Sequence, residues 1–144
     1  MGFARDQSGY SLTVPGELQS LSVVRGMINA VCKRAGYDDQ TRYEIVTAVH
    51  EACSNVIIHA YGSDQQLPIT LECSLSDEGL EVRLRDAGRQ FDINTVPELD
   101  PTEVRSGGRG VFLIRRFLDD VSSTVTADGV NELRMFKRTA RSAG

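Results

Sequence analysis

The chain has 144 residues, 40% of them hydrophobic and 25% charged, and a formal net charge of −4. That length suits one domain, residues 1–144, with room for a real core, and the acidic balance argues against a nucleic-acid surface as its main business. No apolar run approaches the roughly 20 residues of a membrane span, and the N-terminus lacks the apolar core of a signal peptide, so the expectation is a cytoplasmic protein.

The elements read off in chain order. Tyr10 to Pro15 alternates like a short strand that Pro15 ends. Leu18, Leu21, Val24, Ile28, Val31 and Ala35 then recur at three- and four-residue spacing, which predicts an amphipathic helix stopping at Gly36. Asp38 or Asp39 can cap a second helix with the stripe Ile45, Val49, Ala52, Cys53, Val56 and Ala60, ending at Tyr61-Gly62. Two strand-like runs, "PITLECSLS" and "LEVRLRD", flank the turn Asp77 to Gly79 and signal a hairpin. Ala87 to Gly110 has no sustained period and carries Pro97, Pro101 and a glycine-serine cluster; a loop this long in a compact domain is usually functional or mobile. A short apolar helix over Val111 to Leu118, a strand within "DDVSSTVTAD" and a last strand "NELRMFKR" after the turn Asp128-Gly129 complete the chain. Helices first and mostly antiparallel strands after them predict an α+β fold, a two-layer α/β sandwich. Cys32, Cys53 and Cys73, odd in number and set among apolar residues, read as buried reduced thiols, and two histidines, His50 and His59, are too few for a histidine-based metal site.

Three stretches raise questions of chemistry. Glu51 and Asn55 stand four residues apart in "VHEACSNVIIHAYG", about 40° apart around a helix, so both leave from one side. On the residues alone this is either a solvated face, away from the main apolar stripe, or a paired site. In "RDAGRQFD", Asp86 ends a strand: it is either a turn former or an acceptor for an exocyclic amine such as adenine's, with Gly88 letting the backbone approach the base. In "RSGGRGVFLIRRF", Ser106, Gly107, Gly108 and Gly110 precede an apolar helix, and this is either a hinge or a phosphate cradle of backbone N–H groups at a helix N-terminus. The pattern fits neither the P-loop nor the dinucleotide fingerprint, and there is no protein-kinase H-R-D or D-F-G.

"EACSNVIIHAYG", "RDAGRQFD" and "SGGRGVFLIRRFLDDV" come in the order and spacing of the three ATP-binding boxes of the GHKL superfamily, the group of gyrase B, histidine kinases and MutL. Over nearly its whole length the chain resembles, more narrowly, the bacterial anti-sigma factors that are also serine-protein kinases. The resemblance implies a sandwich of the GHKL (Bergerat) type, with a mixed, mostly antiparallel sheet and helices on one face. It implies ATP and Mg²⁺ as cofactors, with Glu51 as catalytic base, Asn55 on the magnesium ion and Asp86 on the adenine amine. Gly88 would lie by the base, and Arg105, Ser106, Gly107, Gly108, Gly110 and Val111 would form the lid and helix start over the phosphates. Arg105 or Arg109 would offset charge on the transferring group. Implied partners are a sigma factor, an anti-sigma antagonist phosphorylated on serine, and a second copy in a homodimer, with no direct nucleic-acid or membrane contact. A non-catalytic ATP-gated binding module is the alternative. The chain departs from the family pattern at Gln90, where many relatives have glycine, and at Val130 and Asn131, where many have a threonine near the adenine pocket. His59 resembles a recurrent histidine after the first box and is assigned a packing or loop-anchoring role.

Overall fold

A computed structural model of the chain describes residues 8–61, 67–87 and 108–139. In order these form strand β1 (Ser8–Val14), a 3-10 turn (Leu18–Ser20), helices α1 (Leu21–Ala35) and α2 (Asp39–Asn55), and a π-helical turn (Val56–Tyr61). Strands β2 (Ile69–Leu75) and β3 (Gly79–Asp86), helix α3 (Gly108–Phe117), and strands β4 (Asp120–Val125) and β5 (Asn131–Arg138) follow. The α+β two-layer reading stands.

The helix ends follow from local chemistry. Gly36 takes the left-handed conformation (φ 85°) and donates its N–H to the last-turn carbonyls of α1, while Lys33 and Arg34 in that turn complement the negative end of the helix dipole. Asp38, one of the two candidates, is the cap of α2: its carboxylate accepts from the Thr41 N–H at 2.8 Å, and that bond holds its pKa below the usual value.

The strands form one five-stranded sheet in the order β1-β2-β3-β5-β4, with every described pairing antiparallel. The expected mixed sheet is therefore corrected to an antiparallel one over the described residues. The pairs β2–β3 and β4–β5 are successive strands folded back on each other, and β1 on β2 and β5 on β3 also run antiparallel. Alternation divides the sheet into two faces. Val14, Ile69, Leu71, Cys73, Leu80, Val82, Leu84 and Met135 point inward and are almost wholly buried, in one core with Val24, Ile28, Ile45, Val49 and Ile114 of the helices. The outer face carries crossed ion pairs: Arg85 with Glu72 and Glu132, and Arg134 with Glu81 and Asp120.

The β2–β3 turn has one position closed to side chains. Gly79 has a φ of 155°, and a Cβ there would lie 2.1 Å from the Lys137 carbonyl oxygen on β5. Across the layers, the Tyr37 hydroxyl donates to the same Lys137 carbonyl at 2.8 Å, tying the α1–α2 junction to the sheet.

Candidate functional site

Helix α2 carries Glu51 and Asn55 one turn apart at its C-terminal end. The solvated-face reading fails for Asn55, which is only 8% exposed; Glu51 is half-buried. Among the described residues Glu51 is in no ion pair, and the Asn55 carboxamide makes no hydrogen bond. The rest of the residue is covered, and the amide atoms, which are not sealed from solvent, are open to a ligand. Directly after Asn55 the chain widens into the π turn. The extra residue per turn rotates the following side chains, so Ile57 is buried (6% exposed) whereas Val56, predicted in the stripe, is only partly covered. Cys53, between Glu51 and Asn55, points into the core at 0% exposure, and burial pushes its thiol up to about 12. It is therefore neither nucleophile nor metal ligand at neutral pH.

Asp86 ends β3 as the last member of the inward row Leu80, Val82, Leu84, and is 8% exposed. Register sets it opposite Asn131, the first residue of β5, and Asn131 Nδ2 donates to Asp86 Oδ1 at 3.0 Å. Asp86 is thus an inward acceptor and more than an exposed turn former.

Helix α3 begins at Gly108, three residues before the predicted start, so Gly108 and Gly110 belong to its first turn. The first four N–H groups of a helix have no partner within it, and here they form the positive end of a ten-residue dipole. Val111 buries its side chain in the core at 2% exposure and can offer a ligand only its backbone N–H. Together with Ile114 and Leu118 it packs α3 beside α2. Gly88, Gln90, Arg105, Ser106 and Gly107 lie outside the described residues, as does the Arg109 side chain.

Among the described residues no cluster of three histidine, cysteine, aspartate or glutamate side chains is present to cage a metal. A single buried carboxamide fits an ion such as Mg²⁺, which takes most of its oxygens from phosphates and water. A separate groove of about 430 Å³ lies between α1 and the N-terminal half of α2, lined by Arg25, Asn29, Arg42 and Tyr43. No described helix is long and apolar enough to cross a membrane.

The residue that sequence reasoning undervalued is Asn131, noted there only as a departure. Its signal would have been the β3–β5 register, which pairs residues 45 apart in the chain.

A family model described as a histidine kinase-like ATPase domain matches residues 14–137. The chain belongs to the histidine kinase-like ATPase family. The serine-protein kinase RsbW of Listeria innocua serovar 6a is 34% identical over 119 residues, covering 77% of this chain and 76% of that protein. The RsbW of Halalkalibacterium halodurans is 33% identical over 118 residues, covering 76% of this chain and 72% of its own. Among solved structures, one of the RsbU and RsbW domains of a Mycobacterium tuberculosis protein matches with a TM-score of 0.66 at 16% identity. That match covers 91% of this chain and 32% of the other, and it speaks to the fold alone.

Proposed function

We propose that the protein is a serine-protein kinase and anti-sigma factor: it binds Mg-ATP, sequesters a sigma factor, and phosphorylates a serine of an antagonist protein. The observation that carries this reading is the pair on α2, where half-buried Glu51, in no described ion pair, precedes the buried, unpartnered Asn55 by one turn. The names of the relatives supply the reaction class, serine-protein kinase.

When bound, Mg²⁺ would neutralise charge on the phosphates; the Asn55 carboxamide oxygen is its protein ligand. Asp86 accepts from the exocyclic amine of adenine, and the first-turn N–H groups of α3 at Gly108, Gly110 and Val111 meet the phosphates. Phosphoryl transfer needs positioning more than covalent chemistry. The serine oxygen forms its bond to the γ-phosphorus as the bond to ADP breaks, and the serine proton goes to the Glu51 carboxylate. Arg105, in the expected lid that lies outside the described residues, and Arg109, in the first turn of α3, are the candidates for charge compensation. Lid closure over the phosphates would alter the neighbouring surface, giving ADP and ATP different preferred partners, with the functional unit a homodimer.

Glu51→Gln tests the reading. Incubated with labelled ATP and candidate antagonist proteins, it should retain Mg-ATP binding and lose transfer to serine by roughly 10²–10⁴-fold, the usual worth of a general base. Equal transfer by the wild type and this variant would reject Glu51 as base. No phosphoserine at all, with ATP still bound, would favour a non-catalytic ATP-gated module.

A further inference from the structure

Asp86 and Asn131 end an inward-facing row whose neighbouring members are apolar. On β3 the row is Leu80, Val82 and Leu84, and on β5 it is Leu133 and Met135. The two polar residues are 8% and 9% exposed and stand opposite one another, joined by the 3.0 Å bond from Asn131 Nδ2 to Asp86 Oδ1. A carboxylate in so dry a position requires donors. The orientation of the Asn131 amide follows from the same need, since its oxygen would be repelled by the carboxylate and its nitrogen is attracted.

We propose that Asn131 is a positioning residue for base discrimination, holding the Asp86 carboxylate in one orientation so that its remaining acceptor capacity meets the exocyclic amine of adenine. The inference rests on the nucleotide reading above and deepens it. A terminal carboxylate rotates over a broad, roughly two-fold torsional profile. A donor 3.0 Å from one oxygen selects one part of that profile before the base arrives, and a preorganised acceptor wastes less ordering entropy on binding. An ionised carboxylate has about four lone-pair sites, and the bond to Asn131 takes one of them. Asn131 acts through Asp86 and need not touch the base.

The test compares ATP with purine riboside 5′-triphosphate, the same nucleotide without the 6-amino group, by calorimetric titration of the full chain in Mg²⁺. The wild type should prefer ATP. Asn131→Ala should lower ATP affinity by about three- to tenfold, the cost of ordering one side chain that is no longer held in place, while affinity for the amine-free analogue changes by no more than about twofold. Added to Asp86→Asn, it should have no further effect on the ratio of the two affinities. Asn131→Leu, which keeps the bulk without the donor, carries the same expectation should the alanine variant not fold. A purely structural role for Asn131 would weaken both nucleotides alike. Wild-type discrimination in either folded variant, or equal losses for both nucleotides, overturns the proposal. A wild type that binds both nucleotides equally overturns the adenine-reading role of Asp86 itself, a separate and recognisable failure.

Discussion

Raising the pH from about 8 to about 10 is expected to weaken the fold by roughly 4 kcal/mol through three thiols alone. Cys32, Cys53 and Cys73 are at most 1% exposed. Burial pushes each from 9.0 up to about 12, with the neighbouring Cys73 adding to the rise at Cys32. In the unfolded chain the thiols ionise as the pH passes 9.0, whereas in the folded chain they stay protonated. The folded state then holds more protons than the unfolded one, and stability falls as pH rises. This stability is fully present below about pH 9 and is lost progressively toward about pH 12. One unit above the unfolded pKa, each thiol costs a little over about 1 kcal/mol, and three together about 4, a large part of the roughly 5–15 kcal/mol that holds a domain together. Tyr37, whose phenol burial pushes up to about 12, adds to the loss only above its ordinary value of 10.0. Urea unfolding followed by circular dichroism, with reductant, measures the effect at pH values of about 8, 9 and 10. Cys53→Ala, whatever it costs at the lower pH, should remove about a third of the pH-dependent loss. A free energy of unfolding that is flat over this range, or a Cys53→Ala variant with the full wild-type slope, would refute the reasoning.

Asp86→Asn should weaken ATP binding by about 1.5–3 kcal/mol, since an amide nitrogen can then face the amine donor; titration calorimetry of the folded variant reads this directly. Asn55→Ala should weaken nucleotide binding and flatten its dependence on magnesium concentration, because the carboxamide oxygen is the proposed protein anchor of the ion. A magnesium titration that matches the wild type would remove Asn55 from that role. Gly79→Ala should lower stability by about 1–3 kcal/mol, because its Cβ meets the Lys137 carbonyl at 2.1 Å and the backbone sits at positive φ. Chemical denaturation measures it, and since the turn is at the opposite end of β3 from Asp86, ATP affinity should be unchanged.

Local chemistry made much of this protein legible in advance. Gly36 and Asp38 mark helix boundaries because a left-handed cap and a side-chain acceptor act within a few residues of where they stand. The apolar periods of α1 and of the β2–β3 hairpin survive folding for the same reason, as each needs only one face to be covered. The proximity of Glu51 and Asn55 was likewise visible, since helical spacing alone brings them together. Their environment was not. Asn55 looked solvent-facing on a helical wheel and is buried, and the π turn that follows it shifts the side chains after Asn55 out of the predicted stripe. Likewise, α3 starts at Gly108 within the glycine cluster and not at the expected Val111, because packing beside α2 outweighs the low helix propensity of glycine. The largest gap concerned Asn131. In the sequence it is an unexplained residue after a turn, and only the insertion of β5 between β3 and β4 sets it against Asp86. Strand order and register are decided by which apolar faces can be covered together, a property of the whole chain. Local spacing therefore sets where the chemistry-bearing residues lie along each element, and the packing of the whole chain sets which of them are dry and which touch.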